Sequence, residues 1–459
     1  MLKTTRKSWG AVAGVVGIAL LAAACSSGNT GGGTASTPAT QPSSGATNAS
    51  SACPAGNPTV TVSTFNNFGY QPSTDKAPGA DLWAKYKTVC PNVTVKETVA
   101  ASSDDARAAF NTAISTGTGA YDIQAVDVDW MPSIMSQPDK FMDLTPFKTS
   151  NNDWLDWKTK IATTADGKLL GFGTDIGPEA ICYRSDLLQA AGMPSDREGV
   201  AKLLGGANAT WDSYFQVGQQ YVQKTGKAWF DSSAATWQGM VNQMQYSFID
   251  KDNNVIATTN PDVKAAYDKL TTAAVADKES AGLKQWGNDW NAAFKSDKFA
   301  TMLCPAWIIN NIKGNDGADF KGWDIADVFP GGGGDWGGSY LVVPKQSKNA
   351  EAAAKVAAWV TAAQQQVAVF TAASNYPSSP TAEADPAVSG KTEPFLNNAP
   401  VGSIFKDRAA AVTVVPYKGA QYFDIETKMA DALNRVDVDK SMNAGASWNQ
   451  WISDVKSLS

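Results

Sequence analysis

Asp129-Trp130 and Asn66-Asn67-Phe68 are the segments whose residue types carry the clearest chemistry. A carboxylate accepts hydrogen bonds from hydroxyls, an amide both donates and accepts, and a flat ring covers C–H bonds. Side by side they suit a pyranose, which has hydroxyls around its rim and apolar faces above and below. The aromatic supply is large, with 16 tryptophans, 12 tyrosines and 17 phenylalanines in 459 residues. An acidic chain so rich in rings is a candidate for carbohydrate recognition, although such rings also fill cores. Histidine is absent, which excludes His-based triads, Cys–His dyads and zinc sites that need imidazole. No CxxC spacing occurs, so neither a metal nor any other cofactor is expected.

Three further motifs carry no chemistry of their own. Asp250-Lys-Asp-Asn-Asn254 begins like a calcium loop, but Val255 stands where the turn needs Gly and Pro261 where it needs Glu; a hairpin turn is expected. Gly331 to Gly334 lacks the GK[ST] continuation of a phosphate loop. Gly10-x-x-x-Gly14 lies in an N-terminal apolar stretch and calls for no dimer.

The elements that must position these residues alternate strand and helix. Thr59-Val-Thr-Val-Ser63, Val93 to Glu97 and Tyr121 to Asp127 read as strands. Asp81 to Cys90 reads as a helix, and so does Ser103 to Thr116, opened by Ser and two Asp. Such alternation predicts an α/β fold with a mostly parallel sheet and ligands at the strand C-termini. Asp129-Trp130 and Asn66-Asn67-Phe68 both follow strands. Ala180 to Tyr183 and Ala300 to Cys304 look like strands of a second sheet. Helices are expected over much of 200–225, 262–276 and 349–373, and the length suggests two lobes.

The N-terminus is of another kind. Lys3, Arg6 and Lys7 precede an uncharged run from Trp9 to Ala24, the pattern of a secretory signal peptide. Without those three cations 35 basic side chains face 44 acidic ones. A net charge of −9 argues against a nucleic-acid partner. Leu21-Ala-Ala-Ala-Cys25 resembles a bacterial lipobox, with Ala22 where leucine is usual, and implies lipidation of Cys25. Ser26 to Ala52 is almost entirely Ser, Gly, Thr, Ala, Pro and Asn, the composition of a flexible tether. Cys53, Cys90, Cys182 and Cys304 remain for disulfides in an oxidising compartment. Of the three possible connectivities we favour Cys53–Cys90, which closes the start of the first strand against the first helix, and Cys182–Cys304, between the second-sheet strands.

Several segments in order over about residues 57–459 resemble the family 1 extracellular solute-binding proteins, the receptors of ABC sugar importers. They are Gly173-Thr-Asp-Ile-Gly-Pro-Glu-Ala-Ile-Cys-Tyr-Arg-Ser-Asp-Leu187 with Ala191-Gly-Met-Pro194, Phe294 to Trp307, Trp336 to Pro344, and Asn349 to Phe370 ending at Asn375-Tyr-Pro-Ser378. The pair CYRSDL and CPAW looks most like actinobacterial receptors for cellobiose, cello-oligosaccharides or xylobiose. The resemblance implies a two-lobe periplasmic-binding-protein-like fold (type II), with a ligand cleft between lobes joined by hinge crossings near Gly173, Gly331 to Gly334 and Tyr376. The implied boundaries are 1–24 signal peptide, 25–56 tether, 57–172 with 335–375 as N-terminal lobe, and 173–334 with 376–459 as C-terminal lobe.

On that template Asp175 sits at the first crossing, Trp336 beside the glycine hinge, and Trp237 and Trp307 at stacking positions of the second lobe. Tyr376 and Tyr422 fall on cleft-facing positions. Asn67, Phe68, Asp129 and Trp130 complete the expected site. Trp83, Trp290, Trp359, Trp448 and Trp451 read as helical core residues, and Trp286 is undecided. The implied protein is a monomeric, lipid-anchored receptor on the outer face of the cell membrane. It captures a short oligosaccharide and passes it to membrane permease subunits, without catalysis. The competing class is a secreted glycoside hydrolase, which would need two carboxylates at fixed separation.

Overall fold

Short β-branched runs and capped amphipathic helices alternate through the computed structural model, which describes residues 53–458 apart from Asp75 and Ala318. The expected signal segment, Cys25 and the tether as far as residue 52 lie outside the described residues. Eleven strands are described: β1 (Thr59–Phe65), β2 (Thr94–Ala100), β3 (Ile123–Asp127), β4 (Phe172–Gly173), β5 (Asp175–Ile176), β6 (Glu179–Arg184), β7 (Ala228–Phe230), β8 (Phe299–Pro305), β9 (Trp323–Ala326), β10 (Ser339–Val342) and β11 (Tyr376–Pro377).

They form two lobes. The first is built on a five-stranded sheet of order β2-β1-β3-β10-β4, the second on a four-stranded sheet of order β7-β8-β6-β9. β1 lies inside this sheet between β2 and β3, with Val60 and Val62 fully buried. The helix Ser103–Thr116 covers this sheet with Phe110 and Ile114, starts at a Ser102 hydroxyl that accepts from the Asp105 N–H at 3.1 Å, and ends at a left-handed Gly117. In the second lobe every residue of β6 and β8 is buried, so helices cover both faces.

The sheets are less parallel than expected. β1 pairs in parallel with β2 and β3, but β10 runs antiparallel to β3 and β4. β6 runs antiparallel to both β8 and β9, and β7–β8 is the parallel pair of the second sheet. The reason is connectivity: β10 returns to the first sheet only after the whole second sheet has been built, so no right-handed βαβ crossover fixes its direction. The 250–254 segment is a hairpin turn, closed by an Ile249–Val255 bridge.

Both favoured disulfides are present. Cys53–Cys90 spans 37 residues with Cα atoms 5.5 Å apart. Cys182–Cys304 spans 122 residues at 5.2 Å, and links adjacent strands whose register sets Ala180 opposite Cys304 and Cys182 opposite Met302. Among the described residues no helix is long and apolar enough to cross a membrane. Loop-closure entropy grows with span, so the double variant Cys182→Ala/Cys304→Ala should lose about 2–5 kcal/mol of stability. The Cys53→Ala/Cys90→Ala variant should lose less, and denaturant midpoints on the two purified proteins give the ranking.

Candidate functional site

The strand ends of the first lobe and the tryptophan-bearing loops of the second face each other across a cleft of about 330 Å³. From the first lobe come Phe65 to Phe68 after β1, Ser103 and Asp104 at a helix start, and Asp127, Asp129 and Trp130 after β3. From the second come Ala234, Gln238, Lys284 to Trp286, Trp307 and Asn311. The floor is the crossing itself, with Asp175 and Trp336 to Ser339.

At the crossing β5 pairs with β11, and Pro178 bridges to Asp335. Gly177 is required there, since a Cβ would stand 1.8 Å from the Trp336 carbonyl oxygen. Asp335 accepts from the Gly177 N–H at 2.8 Å, and Asp175 accepts from the Thr174 hydroxyl at 2.6 Å and the Ser339 N–H at 3.1 Å. Beneath them lies Lys158, fully buried, its ammonium 4.1 Å from the Tyr340 ring centre. Burial lowers its pKa to about 8 against the opposing pull of Asp175, Asp335 and Asp127.

Three indoles line one wall. Trp286 stacks on Trp307 with centres 5.9 Å apart and planes at 27°. Trp307 meets Trp336 edge-on at 5.4 Å and donates from Nε1 to the Trp336 carbonyl at 2.9 Å. Opposite them Trp130 packs on Phe65 at 5.2 Å and meets Phe423 edge-on at 6.5 Å.

A third surface comes from the helix Tyr422–Asp437. Phe423, Glu426, Thr427, Ala430, Asp431 and Asn434 all line the cleft, a single stripe at three- and four-residue spacing. Gln238 donates to the Glu426 carboxylate. Lys418, just before this helix, forms an ion pair with Asp129 of the other lobe. Arg107 of the first lobe lies over the Phe423 ring at 4.0 Å and pairs with Asp424 at 3.0 Å. These contacts hold the lobes together around the cleft. Burial, then the Asp129 charge, raises the pKa of Asp127 to about 7 and that of Glu426 to about 8.

Seven expected residues are brought together in the lining: Asn67, Phe68, Asp129, Trp130, Asp175, Trp307 and Trp336. Trp130 is only 2% exposed, a wall more than an open face. The Asn67 amide is committed to its own loop, donating to Pro78 O at 2.9 Å and accepting from Gly69 N.

Three expected residues lie outside the lining, each fully buried. Trp237 lies parallel to Phe248 at 6.5 Å, Tyr376 packs between Phe370 and Phe405, and Tyr422 packs on Phe248 at 5.2 Å. Helix phase explains two of them. Each step turns a helix by about 100°, so Gln238 and Phe423 face the cleft where Trp237 and Tyr422 face the core. Tyr376 lies in an apolar cluster with Phe370, Phe395 and Phe405, and its ring packs into that cluster instead of the cleft.

Residues missed from the sequence are Trp286, Gln238, Asn311 and the stripe on Tyr422–Asp437. The stripe is polar at helical spacing, which is also the signature of a solvated face. For Trp286 a signal did exist: a tryptophan between two glycines, Gly282 and Gly287, with polar neighbours. Among the described residues no group of three or more Cys, Asp or Glu is placed to hold a metal ion.

A family model described as bacterial extracellular solute-binding protein matches residues 81–395. A crystal structure of an extracellular solute-binding protein of family 1 is 41% identical, covers 87% of this chain and 99% of its own, and superposes with a TM-score of 0.75. The β-1,6-galactobiose complex of an ABC-transporter-associated binding protein from B. animalis subsp. lactis Bl-04 shares the fold at 15% identity, with a TM-score of 0.72 over 86% of this chain and 96% of its own. The arabinooligosaccharide-binding protein of Bacillus subtilis is 25% identical over 263 residues, 54% of this chain. The match spans 58% of that relative's own length.

The raised acids set a pH dependence. Asp127 and Glu426 keep their protons in the folded protein where unfolded carboxylates, with pKa values near 4, have lost them. The folded state therefore binds more protons between roughly pH 4 and 8, and stability falls as pH rises through that window. Calorimetry on the sugar-free protein should show the melting temperature dropping by on the order of 5 °C from pH 5 to pH 8. Glu426→Gln should flatten part of that slope, and an unchanged slope would contradict the assignment.

Proposed function

Because the chain belongs to the bacterial extracellular solute-binding proteins, we propose that it captures a short oligosaccharide in this cleft and delivers it to an ABC importer. The observation that carries the reading is the lining itself. Carboxylates and amides line it, and Trp307, Trp336 and Trp286 supply rings along one wall. A ligand seated there takes hydrogen bonds from both lobes, contacts it forfeits when they part. Occupancy therefore favours the closed arrangement, and the closed shape is what a permease would sense.

Within this reading the ligand is a β-linked gluco- or xylo-oligosaccharide. Cys25 carries a lipid, and the 25–56 tether holds a monomeric body at the outer face of the membrane. The lobes divide as 57–172 with 335–375 and 173–334 with 376–459. The −9 charge of the exported chain and its acidic cleft favour neutral sugars over uronic acids.

A thermal-shift screen of the exported domain against neutral mono-, di- and oligosaccharides identifies the ligand. At a hundredfold excess over Kd it should stabilise the fold by about 2.7 kcal/mol. Trp307→Ala should then weaken binding by about 10–100-fold while leaving the melting temperature close to wild type, and titration calorimetry reads the loss. Recovering the sugar intact after long incubation is the expected outcome; cleaved product would point to the hydrolase alternative.

A further inference from the structure

Trp286 is the most exposed tryptophan among the described residues, at 42%. It is also strained, with φ at +68°, a left-handed backbone that a bulky side chain rarely adopts. The strain comes from a tight turn, in which the Gly287 N–H donates to the Lys284 carbonyl at 3.0 Å and Trp286 takes the third position. Glycine or asparagine is the usual residue where such a turn needs positive φ.

The base of this loop is fixed. Ala281 N–H donates to Phe230 O at 2.9 Å, and the Ser280 hydroxyl donates to Asp437 at 2.5 Å. Behind the ring stands Trp290 at 5.1 Å, fully buried, with its Nε1 donating to Asp231 at 2.7 Å. The turn is therefore held rigidly, and its tip places an apolar ring in water at the end of the Trp336–Trp307–Trp286 ladder. Beside it Lys284 and Gln285 also line the cleft, and the Gln285 amide nitrogen is buried without a hydrogen-bond partner. Left-handed strain and an exposed indole both work against folding. Such outliers are retained where they serve a site.

We propose that Trp286 is a specificity-determining residue for ligand length: it forms the outer end of the cleft and is covered by sugar units beyond those that fill the part around Trp307, Trp336 and Trp130. This deepens the sugar-receptor reading and rests on it. A disaccharide seated at the floor leaves Trp286 in water. A longer chain continues along the ladder, covers the indole and offers hydroxyls to Gln285 and Lys284. The receptor thereby favours longer members of its ligand series.

The test titrates wild type, Trp286→Ala, Trp286→Phe and Trp286→Gly with β-1,4-linked gluco- and xylo-oligosaccharides of two to five units. Trp286→Ala should lose about tenfold or more in affinity for four- and five-unit ligands and stay within about twofold for the two-unit ligand. Trp286→Phe should recover part of the loss. Trp286→Gly should match Trp286→Ala in binding yet melt at or above the wild-type temperature, because glycine relaxes the turn. Equal losses at every length, or none at any, overturn the proposal. So does a Trp286→Gly protein that melts well below wild type, which would make the ring structural. If wild type binds no member of the series, the β-linked gluco- or xylo-oligosaccharide reading falls, and the length series is repeated with the sugar that the thermal-shift screen identifies.

Discussion

A fully buried ammonium has to be compensated, and Lys158 is buried where the chain crosses between its two lobes. Three acids from three separate segments pull on its charge, Asp127 at the end of β3, Asp175 on β5 and Asp335 ahead of β10, while its Nζ makes no hydrogen bond to any of them. The Tyr340 ring covers it, and the Tyr340 hydroxyl donates to the Lys158 carbonyl at 2.8 Å. The ends of β3 and β5 and the start of β10 meet at this point, joined by β3–β10 pairing and by the Ser339 N–H donating to Asp175. Those same ends carry Asp129-Trp130 on one side and Trp336 on the other, so the segments that surround Lys158 also frame the cleft floor. Gly338 belongs to the same constraint: at φ +83° it has no room for a Cβ, which would stand 2.5 Å from the Asp175 carbonyl oxygen and 3.0 Å from the Lys158 nitrogen.

From that fixed floor the two walls differ in how they are held. The crossing is short and tightly bonded, whereas the lobes touch across the cleft through side chains, Lys418 on Asp129 and Arg107 on Asp424 and Phe423. Ion pairs of this kind can part and re-form with little change in either core. Two buried apolar clusters belong one to each lobe, and a third joins Phe370 of the first lobe to Tyr376 and Phe405 beside the crossing. Rotation about the crossing would leave the first two of these cores intact while changing what the cleft offers to a ligand.

The aromatic wealth of the chain divides by packing. Trp229, Trp237, Trp290, Trp323 and Trp451 are fully buried and build the second lobe. Trp286, Trp307 and Trp336 remain partly open, and a short stretch of backbone explains two of them. Trp336 is held by the glycines around the crossing, and Trp307 is tied to it through Nε1. Composition alone could not divide the rings this way, because an indole that packs and an indole that binds are the same residue.

The sequence by itself determined much of the architecture. The alternation of β-branched runs with capped helices and the strand-end positions of Asp129-Trp130 and Asn66 to Phe68 are local signals that survive into the fold, and both cysteine pairings follow from which elements carry the cysteines, even across the 122 residues from Cys182 to Cys304. Only the tertiary structure decided helix phase and the identity of the third wall. Gln238 faces the cleft and Trp237 does not, and Phe423 does and Tyr422 does not, because one residue is about 100° on a helix and the sequence pattern tolerates either phase. The polar stripe from Glu426 to Asn434 reads as a solvated face until the first lobe is brought over it. Antiparallel β10 was likewise invisible, since its direction depends on a return through the crossing. In each case the missing information is which surface a residue meets, and that is fixed by how the lobes close on each other.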